Sequence, residues 1–481
     1  MAIKTPSGLT ERQTVTNSVL QGDTWGSILA SVQVDSIAKE CVAEGHTYKY
    51  KNKLDVGFLG LVDDIVGVTE AGYKAQKLNA FINLKTAEKG LQFGSKKCKS
   101  MLVGKNVKNV INSGLQVDEW TVKYAENTAT GDADLCEQYS GQTEIQHTSE
   151  QKYLGFVLSS SGDNMANIRA VQKKSIGIVK TAINKLNSLK LGKYYFESAV
   201  IIMNVMVRPS ILYASDTYYQ LKETEIRHLE RIEENYMRQV LHTTKGCPIN
   251  QLYFSLGQYP ARFEIQKSRL LFLKYILNED NDSLLSKFFY LQLEHPTKGD
   301  WASTCVKDLS ELRISESFQE IEQMSKNQFA KILKTKLKEN AIKYLEKKQG
   351  SKGKENEFSD LSMADYLQPV NKNISILEKQ KMFEVKTRMT NIPSNFSKPN
   401  MKYFCPCGEK EEMKHVYMCE KLNNGEKPKL EYLKLYNGHI SEQIEVFRKF
   451  EKNLEKRKEL TTETPRDQDL IHCSRQSIVM D

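Results

Sequence analysis

Two adjacent aspartates, Asp63 and Asp64, interrupt an otherwise apolar run at residues 58–68. Apolar residues on both sides of a short polar pair predict two strands joined by a tight turn. We therefore predict a β-hairpin with buried flanks and a tip that presents two carboxylates. Carboxylate oxygens suit hard cations such as Mg²⁺, but aspartate is also an ordinary residue of a solvated turn. The pair by itself leaves both interpretations open.

Length and composition fit a chain of several globular domains. At ~150 residues per domain, 481 residues predict about three domains. A chain that is 40% hydrophobic and 27% charged is not largely disordered. The mean hydropathy is -0.52, and no apolar run reaches the ~20 residues of a membrane-spanning helix. The first residues lack the apolar run of a secretory signal, so we expect the nine cysteines to be reduced.

The pattern of apolar residues changes near residue 164. Before it, short apolar runs at 57–61, 65–68 and 153–158 have the length of strands, and a helix is predicted over 74–84. After it, apolar residues recur at helical spacing, with an interruption at Pro209 and further helices from Pro260 and over 318–345. The sequence therefore predicts an α+β fold with a mixed N-terminal part and a mostly helical remainder.

Four potential metal ligands lie close together near the C-terminus: Cys405, Cys407, His415 and Cys419. Three thiols and one imidazole complete a tetrahedral zinc shell, and Pro406 and Gly408 suit the turn between the first ligands. We predict a structural Zn²⁺ site; free cysteines beside a chance histidine are the alternative. Basic and aromatic residues that suit a nucleic-acid surface surround the ligands: Lys402, Tyr403, Phe404, Lys410, Lys414 and Tyr417.

The segments around the aspartates follow one another in a recognisable order. A Gln-Gly turn at Gln21 and Gly22 leads into a predicted helix, and the paired aspartates, a lysine cluster and a Tyr-Leu-Gly segment at 153–155 follow. This order resembles the palm of a reverse transcriptase, in particular that of the non-LTR (LINE-type) retrotransposons. Further segments similar to that family are residues 3–8, 207–214 and 383–389. The resemblance extends over nearly the whole chain.

The resemblance implies the architecture of a right-hand polymerase that begins within the palm. The implied segments are a partial palm at 1–162, a helical thumb at 163–290, a helical connector at 291–400 with a linker at 349–357, a zinc knuckle at 401–423 and a charged tail at 424–481.

The resemblance also implies roles for the residues of the first two motifs. Asp63 would bind catalytic Mg²⁺, with Asp64 as the auxiliary ligand, and two such ions would support nucleotidyl transfer. Gln21 and Gly22 would lie near the incoming nucleotide and the template strand.

Two later motifs receive roles in the same way. Lys97, with Lys99 close by, would lie near the triphosphate, where a cation assists the pyrophosphate leaving group. Tyr153, Leu154 and Gly155 would form a hairpin that holds the primer. A solvated basic surface remains the alternative for the lysines, and an ordinary core strand remains the alternative for the Tyr-Leu-Gly segment.

One departure from the family pattern bears on activity. Only twenty residues precede Gln21, and none of them is an aspartate, so the family strand that carries a third catalytic carboxylate has no counterpart here. Asp23 also stands where the family usually has a neutral residue. We therefore expect a C-terminal two-thirds of a polymerase that does not synthesise DNA by itself, because positioning supplies most of the rate in phosphoryl transfer. The alternative function is nucleic-acid binding through the thumb and the knuckle.

The charge balance is compatible with these partners. Lys and Arg total 69 against 60 Asp and Glu, and the net charge of +9 allows a polyanionic partner without requiring one. The family resemblance implies an RNA template, a DNA primer and deoxynucleotides as partners and the nucleus as the location; no membrane partner is expected.

Overall fold

The computed structural model describes residues 4–5, 8–9, 26–62, 64–70, 72–89, 97–104, 145–348, 361–371, 374–390 and 404–462. The chain divides into two compact units. The first unit comprises Met1–Val171, Thr217–Glu225 and Phe272–Lys307, and the second comprises Gln172–Asp216, Ile226–Leu271 and Asp308–Asp481. The described residues are mostly helical with a few small sheets, so the predicted α+β class is confirmed.

The strands of the described part form two-stranded sheets. Their pairs are β1 (Lys4–Thr5) with β2 (Gly8–Leu9), β3 (Lys49–Tyr50) with β4 (Leu54–Asp55), β5 (Phe58–Leu61) with β6 (Asp64–Gly67), β7 (Lys99–Ser100) with β8 (Gln146–His147), and β9 (Glu150–Tyr153) with β10 (Phe156–Ser159). The β7–β8 pair is parallel and the others are antiparallel.

The helices of the described part are, in chain order, α1 (Gly26–Ala43), α2 (Gly72–Glu88), α3 (Met165–Ser188), α4 (Tyr195–Ile202), α5 (Arg208–Ile211), α6 (Glu223–Val240), α7 (Ile249–Ser255), α8 (Ala261–Leu277), α9 (Leu284–Glu294), α10 (Trp301–Glu311), α11 (Phe318–Gln323), α12 (Lys326–Lys347), α13 (Ile376–Lys386), α14 (Met413–Met418), α15 (Lys434–Asn437) and α16 (Ile440–Thr462). No described helix has both the length and the apolar character of a membrane span.

In the first unit, helices α1 and α2 pack on one face of the β5–β6 hairpin. The buried cluster between them comprises Val34, Ile37, Cys41, Phe58, Leu78, Phe81 and Ile82. Glycines on that face allow the close approach: a Cβ at Gly60 would lie 2.5 Å from a methyl of Val34, and one at Gly67 would lie 2.8 Å from a methyl of Leu78. Gly60 and Gly67 therefore leave the space that the two helices need to pack against the strands.

The Tyr-Leu-Gly segment is a hairpin turn. Tyr153 ends β9 and Phe156 begins β10, so the single strand predicted over 153–158 is wrong. Leu154 and Gly155 have φ angles of 47° and 84°, which suit the tight turns that match strand twist. The predicted hairpin at this segment is confirmed.

In the second unit, the apolar helix around Pro209 changes its winding before the proline. α4 continues into a π-helical turn at Met203–Val207, and α5 begins at Arg208 with Pro209 in its first turn. Proline has no N–H to donate to a carbonyl of the preceding helical turn, and the wider π-helical turn accommodates this missing hydrogen bond. Ile202, Val207 and Arg208 all keep helical φ and ψ angles, so the proline changes the winding of one continuous helical stretch and does not start a separate helix.

A buried arginine joins the elements that follow. Arg208 Nε donates to Glu233 Oε1 at 2.9 Å, its Nη1 to Gln258 Oε1 at 2.9 Å and its Nη2 to the Tyr259 carbonyl at 2.6 Å. Glu233 also accepts a hydrogen bond from the Tyr253 hydroxyl at 3.2 Å. Arg208 and Glu233 are 7% and 0% exposed, so this ion pair lies within the core of the unit.

Candidate metal centre and hairpin site

The structure brings together the four predicted zinc ligands: Cys405, Cys407, His415 and Cys419. Their ligand atoms all lie within 4.8 Å of one another. The two shortest separations are 3.5 Å between the Cys405 and Cys419 sulfurs and 3.2 Å between the Cys407 sulfur and His415 Nε2. Ligands bound tetrahedrally at zinc distances lie about 3.3–3.8 Å apart, so the cluster can hold a metal ion of that size.

A sharp turn and a short helix position these ligands. The Gly408 N–H donates to the Cys405 carbonyl at 2.7 Å, and the φ of Gly408 is 96°, a conformation that favours glycine. His415 lies in α14, and Cys419 follows the last residue of that helix. Burial raises the pKa of the Cys405 thiol to about 12, so cation binding at this sulfur must displace a proton.

A carboxylate orients the imidazole. His415 Nδ1 lies 3.0 Å from Glu409 Oε2, which leaves Nε2 directed at the Cys407 sulfur. Metal-binding histidines usually donate their second ring N–H to such a partner, which sets the tautomer and the ring orientation. Sequence reasoning did not identify Glu409, because a lysine- and glutamate-rich segment offers several equivalent carboxylates.

We expect Glu409→Gln to weaken zinc affinity about ten-fold, since loss of an outer-shell partner costs 10–100-fold in affinity and this carboxylate is exposed. Competition with a chromogenic chelator measures the effect. Glu412→Gln is the matched control, because Glu412 pairs with Lys410 at 3.0 Å and does not contact the ligands. Equal affinities of the two variants would show that Glu409 does not support the imidazole.

Helix α16 packs against the segment that carries the cysteine and histidine cluster. This helix lies in the part of the chain that was predicted to be a charged tail. Asn453 is 1% exposed and its amide donates to the Val416 and Tyr417 carbonyls at 3.0 and 3.1 Å. Arg457 Nη2 donates to Glu411 Oε2 at 2.8 Å. The apolar side of this helix is buried: Val446, Phe447, Phe450 and Leu454. Their helical spacing was the available signal for a packed helix, which the high content of charged residues obscured.

The residues predicted to form a stacking surface near the cluster differ in their exposure. Tyr417 is 2% exposed and its hydroxyl donates to the Leu430 carbonyl at 2.9 Å, so its prediction as a base-stacking residue is wrong. Its ring packs against that of Tyr432, with the two ring centroids 5.9 Å apart. Phe404 is 55% exposed, and Lys410 and Lys414 are also exposed. Lys402 and Tyr403 lie outside the described residues.

The predicted aspartate hairpin forms, but Asp64 begins β6 and does not lie at the tip, where the sequence placed both carboxylates. Leu61 pairs with Asp64 across the two-residue turn, and Asp64 is exposed. Val62 in that turn has a φ of 57°, which is unfavourable for a β-branched residue and is typical of positions that the surrounding structure constrains. Asp63 lies outside the described residues.

The prediction that both flanks of the hairpin are buried is only partly correct. Phe58 is 9% exposed, but Leu59 and Leu61 are 42% and 52% exposed. Successive side chains of a strand point to opposite faces, and α1 and α2 cover only the face that carries Phe58. Among the described residues, the opposite face of β5 therefore carries exposed apolar side chains.

The two hairpins singled out in the sequence lie near each other in the first unit. Burial raises the pKa of the Tyr153 phenol, and the negative charge of Asp64 raises it further. The carboxylate of Asp64 therefore acts electrostatically on the Tyr153 phenol. The fold therefore brings Asp64 and the Tyr-Leu-Gly hairpin to one region.

The structure gives less support to the remaining predicted residues. Lys99 lies in β7, and its ammonium donates to Gln146 of the paired strand. Lys97 and Lys99 are both exposed, so the alternative of a solvated basic surface stays open. Gln21 and Gly22 lie outside the described residues. Within the described ranges, no second group of three or more histidine, cysteine or acidic side chains is arranged to hold a metal ion.

Comparison with known protein families gives no match to this chain, and comparison with curated proteins gives no match either. The family resemblance therefore rests on the order and spacing of the motifs in the sequence.

Proposed function

We propose that this chain is a polypeptide of the LINE-type reverse transcriptase family, that Asp63 and Asp64 are metal-binding carboxylates of its site for RNA-directed DNA synthesis, and that the chain does not extend a primer by itself. The order of the four palm-like motifs carries the proposal. The proximity of Asp64 to Tyr153 supports it, because a polymerase must place the primer end beside the metal-binding carboxylates.

The proposal gives the following roles to the described residues. Asp64 is exposed beside a tight turn, so its carboxylate is accessible to a cation and to substrate phosphates. Bound Mg²⁺ would stabilise the charge that develops on the phosphate oxygens during transfer. Tyr153 and the turn at Leu154 and Gly155 would hold the primer strand, and Lys97 would lie near the triphosphate.

A second function, nucleic-acid binding without catalysis, is favoured by the metal cluster. We propose that Cys405, Cys407, His415 and Cys419 bind Zn²⁺ and that the module they stabilise contacts RNA. Phe404 offers an exposed ring for base stacking, and Lys410 and Lys414 offer positive charge beside it.

Primer extension on an RNA template with Mg²⁺ separates the two functions. Extension by the chain that disappears in Asp63→Ala supports the assignment of the aspartates and overturns the expectation that the chain does not extend a primer by itself. RNA binding without extension by either protein contradicts polymerase activity of this chain and supports the binding function. Extension that persists in Asp63→Ala overturns the assignment of the aspartates.

The binding function makes a prediction of its own. We expect Phe404→Ala to weaken the binding of single-stranded RNA by about 1–3 kcal/mol. We expect Lys414→Gln to reduce the slope of log affinity against log salt concentration by about one, because one phosphate contact is lost. Fluorescence anisotropy at several salt concentrations measures both effects. Met418→Ala is the matched control, since Met418 is 37% exposed on the same helix as Lys414 but offers neither a ring nor a charge. An equal loss in all three variants would contradict specific stacking by Phe404.

A further inference from the structure

One long helix of the second unit, α16, contacts two separate parts of that unit. Its C-terminal half holds the metal segment (residues 404–425). Asn453 donates to the carbonyls of α14 described above, and Lys456 Nζ donates to the Lys421 and Leu422 carbonyls at 3.1 and 3.2 Å. Its N-terminal half contacts α13. A rigid helix that is held at both ends can couple the two contacts.

Two partly exposed ion pairs join α16 to α13. Arg448 Nη2 lies 3.3 Å from Glu378 Oε1, and Lys381 Nζ lies 2.8 Å from Glu451 Oε1. Ion pairs near the surface contribute little free energy, because water solvates the separated charges well. These two ion pairs therefore orient α16 on α13 but hold it only weakly.

A third contact between the two helices buries a lysine. Lys386 of α13 is 8% exposed, its Nζ donates to Gln443 Oε1 of α16 at 2.8 Å, and it lies 4.8 Å from the centroid of the Tyr366 ring. Burial lowers the pKa of Lys386 to about 7, although the Asp365 carboxylate acts in the opposite direction. Burial of a protonated amine costs free energy, so desolvation of Lys386 opposes the docking of α16 on α13.

We propose that occupancy of the cysteine and histidine cluster by a metal ion controls whether α16 docks on α13. This regulation rests on the zinc binding proposed above. In the occupied cluster, His415 and Cys419 fix α14, whose carbonyls accept from Asn453. In the empty cluster, α16 loses these fixed acceptors, and desolvation of Lys386 then favours the release of α16 from α13. Coupling between two sites is reciprocal, so docking on α13 in turn raises the affinity of the cluster for zinc.

Labelling of the full chain with an amine-reactive ester, with zinc bound and after chelation, tests the release. We expect Lys386 to be labelled at least about ten-fold faster after chelation, because release of α16 exposes its amine. Lys379 is the internal control: it is buried on the same helix, but its ammonium donates to the Leu367 and Gln368 carbonyls. We expect its labelling to change less than about two-fold. Equal labelling of Lys386 in both states overturns the proposal, as does faster labelling of both lysines, which indicates general unfolding.

Zinc affinity of variants at the α13 contact, measured by chelator competition, tests the reciprocal effect. Gln443→Leu removes the acceptor of the buried ammonium, so we expect zinc affinity to fall about five-fold or more. Lys386→Met removes the buried charge itself and should bind zinc at least as tightly as the parent chain. Lys452→Ser is the control at an exposed position of α16, and we expect less than about a two-fold change.

The measurements separate failure of this regulation from failure of zinc binding. A parent chain that takes up zinc, together with Gln443→Leu that binds it equally tightly, overturns the coupling and leaves the metal site in place. A parent chain without zinc overturns both. If Gln443→Leu does not fold, as judged by circular dichroism, the labelling of the parent chain decides the question.

Discussion

Cys419→Ser is expected to abolish stoichiometric zinc binding and to open the packing of residues 404–462. Cys405 and Cys419 are 2% and 4% exposed, so removal of the metal leaves buried thiols without their shared cation. Structural zinc contributes an apparent ~10–16 kcal/mol in isolated zinc-finger peptides at neutral pH. α14 carries His415 and is followed directly by Cys419, and Asn453 of α16 donates to the carbonyls of Val416 and Tyr417 in it. We therefore expect the largest effect of any single substitution in this region.

Zinc content per chain and limited proteolysis measure these two effects. We expect cleavage within 404–462 to become at least about ten-fold faster in Cys419→Ser, because local opening exposes the backbone of α14 and α16. Cys98→Ser is the control, since Cys98 is half-buried and lies outside the cluster. Zinc content equal to that of the parent chain in Cys419→Ser would exclude this cluster as the metal centre.

Arg208→Met is expected to lower the free energy of unfolding of the second unit by about 3–5 kcal/mol, because it leaves a buried carboxylate without its cation. Glu233 would retain only neutral donors, the Tyr253 hydroxyl and the Ala261 N–H at 2.9 Å. Urea unfolding followed by circular dichroism measures the change. Arg231→Met is the matched control, because Arg231 is exposed on α6, and we expect a change below about 0.5 kcal/mol.

The same variant has a predictable response to pH. Burial raises the pKa of Glu233 even with Arg208 in place, and loss of Arg208 raises it further. A carboxyl whose pKa is higher in the folded chain than its ordinary 4.5 favours folding below that value, and this contribution is lost as the pH rises through the folded pKa. The stability deficit of Arg208→Met should therefore be smaller at pH 5 than at pH 8. A deficit that is independent of pH would show that Glu233 is not the group left uncompensated.

Local sequence pattern predicted several elements because their causes are local. The aspartate hairpin formed in the expected place since apolar residues flank a two-residue turn, and α2 was predicted from the helical spacing of Leu78, Phe81 and Ile82. The four-ligand cluster was predictable for the same reason. Thiols and an imidazole at short intervals meet through one turn and one short helix, whatever packs around them.

Other predictions failed where long-range packing decides which face is covered. Tyr417 was expected to be exposed and is buried, because the chain returns at Leu430 and α16 to cover it. Leu59 and Leu61 were expected to be buried and are exposed, since only one face of their strand receives helices. Hydrophobic spacing identifies an apolar face but does not identify what packs against it.

The sequence by itself determined the α+β class, the position of the aspartate hairpin and the four residues of the cluster that can hold a metal ion, because each depends on residues that are neighbours in the chain. Only the tertiary structure decided that Glu409 orients the imidazole, that Tyr417 is buried and that Arg208 pairs with Glu233 inside the core. Such pairings depend on how distant segments pack, and the free energy that selects them is a sum over the whole core of a unit.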